Sequence, residues 1–457
     1  MRNHVVRVAA AQGFYGDSPE AAMAVAQEGN IDYLSFDALS ELTLAILAKD
    51  QAKNSRMGYT KDLVPTMRSL LPLARRHGFK LLTNAGGINP EAAMNAVWET
   101  ASQLGLKGMK IAVVTGDDVR SRISDFMEQG ILGEDLEDGT PFSTIRQNLL
   151  FANVYLGSWP LVQALRMGAD VVISGRTTDS AQFMAPLLYE FEWPSDDWSR
   201  LSQGVMMGHL LECSAQSTGG NFSGNWWDVP NMDEIGYPIA EVAENGAFVV
   251  TKSPQRGGLV TQDTIKEQML YEIHDPRAYI TPDVICDFTT AQIRDLGADR
   301  VEITGTTGRP APNALKMVAG YTAGYMGQAL IGYCWPDALK KAEKAASLIQ
   351  SQIARRQWHY DEIDYAYLGW NSLGGPGVPH PGEELDEVYL RVSVRAKTSE
   401  DAAKLGRLFP PLSLDGPPGM GGGAGMQAPR QLLGMWSGLV PRTLVEPHVK
   451  VRIEEVE

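Results

Sequence analysis

The sequence predicts an α/β protein: a large domain with a mostly parallel sheet flanked by helices, followed by a small α+β domain at the C-terminal end. Three observations carry this. Short apolar runs alternate with helical patterns through the first half of the chain, one strand–turn–helix signature occurs twice, and the patterning changes after Trp358.

Strand-like runs occupy residues 5–11, 31–36, 80–83, 109–115 and 170–174, and helical patterns lie at 20–27, 42–48, 61–77, 91–104, 161–167 and 180–190. The runs are short, apolar and rich in β-branched residues, which suits strands covered on both faces. The repeated signature is Gly16-Asp17-Ser18-Pro19-Glu20 and Gly86-Gly87-Ile88-Asn89-Pro90-Glu91. In each, Ser18 or Asn89 suits an N-cap and Pro takes the first helical position. Such a turn aims unpaired backbone N–H groups at the mouth of a sheet, where an anionic or carbonyl-bearing ligand could dock. The alternative is an ordinary strand-to-helix connection. Glu20 and Glu91 favour it, because a carboxylate in the first turn already complements the helix dipole.

Residues 193–261, rich in Gly, Trp and Asn and including Trp226-Trp227, read as an irregular insert or lid. A helix over 262–273, a strand over 300–304 and helical patterning over 311–356 follow. Beyond Trp358 come the loop Gly374-Gly375-Pro376-Gly377, a strand at 387–395, a helix at 399–408 and a strand at 443–454. The expected domains are therefore 1–356 and 357–457.

A chain of 457 residues exceeds a single core, and 44% hydrophobic residues suffice to fill more than one. Lys and Arg number 40 against 55 Asp and Glu, for a net charge of −15 without any basic run, so nucleic acid is not expected as a partner. The longest apolar runs fall far short of a bilayer span, and residues 1–4 lead into a strand without a signal-peptide core; no membrane partner and a cytoplasmic location are expected. Cys213, Cys286 and Cys334 are scattered, so neither a disulfide framework nor a structural zinc site is indicated.

The sequence has no GxxxxGK[ST], GxSxG or HExxH motif, which argues against P-loop hydrolysis, an α/β-hydrolase elbow and zincin chemistry. The loop Gly419-Met420-Gly421-Gly422-Gly423-Ala424-Gly425 contains GxGxxA but follows Pro-rich segments and no strand, so a dinucleotide site is not expected there; a mobile loop over a neighbouring site, in this subunit or another, fits better. Three further turns end predicted strands: Thr115-Gly116-Asp117-Asp118, Ser174-Gly175-Arg176-Thr177-Thr178-Asp179 and Thr304-Gly305-Thr306. Arg176 could grip a carboxylate or phosphate while Asp179 orients it, or the two could simply lock their turn. His209, Glu212 and Cys213 share one face of a predicted helix, with Thr218, Gly219 and Gly220 close behind. A buried Glu212 could work with His209 as an acid/base pair, provided burial raises its pKa; the alternative is a structural His–Glu pair. Tyr271, Glu272, His274 and Asp275 read as a polar helix end.

Taken together, the segments 13–20, 31–34 with Glu41, 83–90, 115–118, 168–176 with Asp179, 208–213 with 218–220, and 266–276 resemble the acyclic terpene utilisation family over essentially the whole chain. The resemblance implies a ferredoxin-like C-terminal domain and a role in breakdown of branched acids handled as CoA thioesters. Gly13-Phe14-Tyr15-Gly16 departs from the plain glycine loop of relatives in being bulkier and aromatic. The expected function is a cofactor-independent hydratase or dehydratase acting on a small carboxylic acid or acyl-CoA. Glu212 and His209 are the expected proton carriers, and Arg176 and Asp179 the orienting groups. Gly16, Asp17, Asn84, Gly86, Gly87, Gly116, Asp117, Gly175, Thr218, Gly219 and Gly220 are the expected substrate contacts. The alternatives are a metal-dependent lyase or hydrolase using His209, Glu212, Asp179 and Cys213, and a non-catalytic binding or assembly subunit. A homo-oligomer is expected.

Overall fold

Alternation in the strands sets the architecture of the first compact unit. Its sheet is built on five parallel strands, each preceded or followed by helices. The elements run β1 (Val5–Gln12), α1 (Pro19–Glu28), β2 (Tyr33–Phe36), α2 (Glu41–Lys53), α3 (Leu63–His77), β3 (Lys80–Thr83), α4 (Pro90–Gln103), β4 (Lys110–Thr115), α5 (Ile123–Glu128), α6 (Phe142–Ile145), β5 (Leu149–Val154), α7 (Trp159–Arg166), β6 (Val171–Ser174), α8 (Ala181–Glu190) and α9 (Trp198–Glu212). They continue as β7 (Ile239–Ala243), β8 (Phe248–Thr251), α10 (Gln262–Leu270), β9 (Tyr279–Ile280), β10 (Ile285–Asp287), β11 (Gln292–Asp295), β12 (Val301–Thr304), β13 (Thr307–Arg309) and β14 (Ala314–Cys334). This computed structural model describes residues 5–374, 384–422 and 427–457.

Across the parallel core, Ala9 lies opposite Leu34, Leu34 opposite Leu81, Leu81 opposite Val171 and Val171 opposite Ile111. All five are fully buried. They join one apolar cluster with Val25 of α1, Leu70 of α3 and Val97 of α4. Ser35, next to Leu34 and so on the other face, donates its hydroxyl to the Gln182 carbonyl of α8. Helices therefore cover both faces, as the continuous apolar runs require.

The expected mostly parallel sheet is in fact mixed. Its ten strands run β11-β12-β8-β7-β1-β2-β3-β6-β4-β19 (β19 being Lys450–Glu455), with β1, β2, β3, β6 and β4 parallel and the others joined antiparallel at both edges. The region read as an irregular insert supplies α9 and the antiparallel strands β7 and β8. Both cap predictions place Pro first in the helix, but only Asn89 accepts a bond from the Ala92 N–H; the Ser18 hydroxyl turns to Glu20 instead.

The second compact unit comprises residues 321–434, and the first takes up 1–320 and 435–457. The division does not follow the change of pattern at Trp358. The segment over 311–356, expected to be helical, contains β14, whose pairing with β16 (Glu387–Ala396) runs from Tyr325 opposite Ala396 to Cys334 opposite Glu387. At Gly327 a Cβ would come within 2.3 Å of the Ala402 carbonyl, a close approach of strand and helix that only glycine allows. The helix begins later, as α11 (Ala338–Arg355), and buries Ala342, Ala345 and Ile349 against Leu390 and Val392 of β16. β15 (Glu362–Leu368), α12 (Ser399–Ala403), α13 (Leu412–Asp415), β17 (Met420–Gly421) and β18 (Arg430–Pro441) follow, with sheet order β15-β16-β14-β17 and β18 also paired to β14. Within the Gly419 loop, Met420 pairs opposite Tyr333; Gly423, Ala424 and Gly425, like Gly375–Gly377 and residues 1–4, lie outside the described residues. The last segment adds a short helix, α14 (Arg442–Val445), ahead of β19. No helix of the described residues is long and apolar enough to cross a membrane.

Gly86 sits where two parallel strands end side by side, and a Cβ there would lie 2.4 Å from the Ser174 carbonyl. Gly86→Ala should therefore lower unfolding stability by about 1–3 kcal/mol, measured by chemical denaturation, because backbone and not a flexible side chain must yield.

Candidate active site

A cavity of about 950 Å³ opens in the first unit at the carboxyl ends of β1, β2 and β6. In an open α/β sheet this is where ligands bind. The turn after β1 contributes Gly13, Phe14 and Asp17, that after β2 Asp37, Leu39 and Glu41, and that after β6 Arg176 and Asp179; the end of α9 brings His209, Glu212 and Cys213. All four expected catalytic residues thus line one space. Of the expected contacts, Asp17 and Gly220 join them.

The others lie behind the wall, each for a structural reason. Asn84 is buried, accepting from the Ala38 N–H and donating to Asp37 at 2.6 Å. Gly86 and Gly87 allow close packing against Ser174 and against Leu47 and Gly58. Gly116, at φ 111°, faces the His448 carbonyl, and Gly16 donates its N–H to Asp62. Asp117 is buried and accepts from the Arg176 N–H and the Asn153 amide at 2.7 Å each, and Gly175 leaves room for its carboxyl group. Burial pushes Asp117 up to about 6 against these two bonds. Thr218 bonds the Ala215 carbonyl, and Gly219 turns at φ 97°. These residues position the site and do not line it.

The His209–Glu212 pair is closed off from bulk water. His209 is 1% and Glu212 5% exposed, and Nδ1 lies 2.8 Å from Glu212 Oε1. The other nitrogen, Nε2, lies 2.9 Å from the Gln268 carbonyl. A carbonyl only accepts, so Nε2 carries the hydrogen and Nδ1 of the neutral ring is an acceptor. Burial lowers His209 to about 4 even though the Gln268 bond and nearby carboxylates oppose it. Burial raises Glu212 well above the usual carboxylate range, with Asp179 and Glu272 reinforcing the shift and Arg176 opposing it. Both directions describe a neutral pair in which the protonated carboxyl donates to Nδ1. Glu212 Oε2 has no hydrogen-bond partner.

Arg176, 2% exposed, is a buried cation of the same cavity. It meets Asp179 Oδ1 at 2.7 Å and the Leu39 carbonyl at 2.6 Å, and its guanidinium carbon stands 4.1 Å from the Tyr155 ring centre. The ion pair thus locks the turn and lines the cavity at once. The Tyr155 hydroxyl donates to Glu41, which Lys316 approaches at 3.4 Å. Burial would raise Glu41, but Arg176, the Tyr155 bond and Lys316 hold it at about 2. Asp37 behaves oppositely: burial, with Asp179 and Glu212 nearby, raises it well above its ordinary value against Arg176 and Asn84.

Asp37, Tyr155 and Tyr279 are cavity residues not selected from the sequence. Asp37 directly follows the apolar run 31–36, the strand-end position that singled out Asn84 and Arg176, so that rule would have found it. Tyr155 and Tyr279 carry no such signal. Of the polar helix end, Tyr271 and Glu272 reach the cavity, whereas Asp275 pairs with Arg277. Ser214, Asn221 and Glu272 hold left-handed backbone at φ 44°, 54° and 59°, strain that concentrates at binding sites. Among the described residues, no group of three or more His, Cys, Asp or Glu is arranged to hold a metal ion, and both His209 nitrogens are engaged.

A histidine with a lower pKa folded than unfolded binds its proton only in the unfolded chain between the two values. The His209 contribution to stability should therefore fall as the pH drops from 6.5 toward 4. Between about pH 7 and about pH 5 this one group should cost about 2 kcal/mol, read from denaturation midpoints, and His209→Asn should remove that slope. Equal slopes in the two proteins would contradict the neutral-ring assignment.

A family model described as acyclic terpene utilisation family protein AtuA matches residues 6–451. No curated protein and no solved structure matches the chain.

Proposed function

The chain belongs to the acyclic terpene utilisation family, and from that premise we propose that it is an enzyme of branched-chain or acyclic terpenoid acid breakdown that adds or removes water by acid–base catalysis. The observation that carries this reading is the buried, hydrogen-bonded Glu212–His209 pair at the wall of a largely apolar cavity that a buried guanidinium also lines.

Removing water from a hydroxyacyl group requires a proton for the departing hydroxyl, a base for the carbon-bound hydrogen and a positive group near the developing enolate. A protonated, buried Glu212 can turn its proton from His209 Nδ1 to the departing hydroxyl and, once ionised, take up the hydrogen released from the neighbouring carbon, restoring the bond to Nδ1. Asp37 is a second carboxyl on the cavity wall. Its Oδ1 accepts from Asn84, leaving Oδ2 for substrate or water. Arg176, fixed by Asp179, is the group suited to the carbonyl oxygen. Of the segments 84–87 and 218–220, expected among the substrate contacts, only Gly220 reaches the cavity lining, so Arg176 takes the carbonyl oxygen here.

The metal-dependent reading has less support. It would require His209 to give up either the Gln268 carbonyl or Glu212, and burial raises the Cys213 thiol away from the thiolate form. For the second unit, the order strand, helix, two strands, helix, strand, with β16 and β14 central, supports a ferredoxin-like reading.

Glu212→Gln keeps the size of the side chain but cannot transfer a proton. With hydroxyacyl thioesters or the matching unsaturated thioesters as substrates, it should lower the rate of water loss or addition about 10²–10⁴-fold while leaving the folded fraction unchanged. Full activity in that variant would remove Glu212 from the mechanism.

A further inference from the structure

We propose that the cavity takes an uncharged ligand, an aliphatic chain bearing a hydroxyl or carbonyl oxygen, and turns away the free carboxylate of the same chain. The proposal rests on the site described above and narrows its substrate class.

The argument is one of charge and commitment. Asp17, Asp37, Glu41, Asp179, Glu212 and Glu272 line the cavity, against the cations Arg176 and Lys316. Each cation already has an anionic partner, although Arg176 Nε is left without a hydrogen bond. Arg176 is held by Asp179 and the Leu39 carbonyl, and Lys316 reaches Glu41 at 3.4 Å. With Asp37 and Glu212 neutral, the remaining carboxylates still outnumber the cations. Asp17 is itself saturated, accepting from the Gly13 and Ser18 N–H groups and from the hydroxyls of Ser214 and Tyr237.

An incoming carboxylate would shed its hydration, meet no cation that lacks an anionic partner and face surplus negative charge. A hydroxyl or carbonyl loses far less on leaving water. It can accept a hydrogen bond from Arg176, whose Nε has no hydrogen-bond partner, or from a neutral Asp37, and a hydroxyl can donate to the unpartnered Glu212 Oε2. The chain itself has apolar walls to occupy: Phe14, Leu39, Leu136, Ile280, Leu315 and Leu439 line the same space.

The test is equilibrium binding, by calorimetry, of a matched set of probes on the intact protein: a methyl-branched acyclic alcohol, the methyl ester of the corresponding acid, and the free carboxylate. The alcohol and the ester should bind saturably, and the carboxylate at least about tenfold more weakly. Carboxylate binding equal to or tighter than that of the uncharged probes overturns the proposal, as does failure of both uncharged probes to bind. Glu41→Gln removes the counter-ion of Lys316 and should narrow the gap by about tenfold through tighter carboxylate binding; an unchanged gap in a folded variant counts against the charge argument. Because the readout is binding and not turnover, a protein that binds the alcohol yet neither adds nor removes water leaves this inference standing and defeats the hydration reading alone.

Discussion

The burial of one guanidinium governs the rim of the first unit's cavity. A charged group removed from water must be compensated on every side, and Arg176, at 2% exposure, draws its compensation from several strand ends. Its own turn gives Asp179, the segment after β2 gives the Leu39 carbonyl, and the residue after β5 gives the Tyr155 ring. Its backbone N–H is fixed by Asp117, which follows β4. Four chain segments are thereby tied to a single residue, three of them through its side chain. The same charge divides the carboxyl groups of the wall into two kinds: Glu41 is held at about 2, whereas Asp37 and Glu212 are raised well above the usual carboxylate range because burial outweighs the attraction. Placing acids of opposite state in one cavity is the usual way a protein runs acid and base chemistry near neutral pH.

Much of the fold could be read from local pattern because the parallel core is made of short apolar runs that can only be covered strands. β2, β3, β4 and β6 lie close to where the residues put them, and Pro19 and Pro90 open helices. The antiparallel edges were hidden because their strands, such as β7 and β8, sit among Gly-rich and Trp-rich loops whose composition resembles an insert. β14 was misread for a different reason. Alanine, leucine and methionine at mixed spacings satisfy a helical template, and the strand state is decided by partners far away in sequence, with Gly327 making room for a carbonyl of α12.

The site was legible to the extent that strand ends announce it. His209, Glu212, Arg176 and Asp179 come together from two elements, and their residue types alone suggested proton transfer. What local pattern does not carry is which side of a turn faces the ligand. Asn84 and Asp117 stand at strand ends as Asp37 and Arg176 do, yet they point inward to hold those residues from behind. A glycine required for close packing, such as Gly86 or Gly175, looks the same in sequence as one required for a ligand.

The pairing of β19 with β4 bears on the order in which this chain can acquire its shape during synthesis. Residues 450–455 supply the edge strand that lies antiparallel against 110–115, and Val456 is buried in the same apolar cluster as Leu34 and Val97. The first sheet therefore waits for a segment made long after its central strands, whereas residues 321–434 form a contiguous stretch that can close on itself as soon as it leaves the ribosome. Until β19 arrives, the backbone N–H and C=O groups on the open side of β4 remain unpaired, a vulnerable interval in which chaperone capture or misassociation with another nascent chain competes with completion.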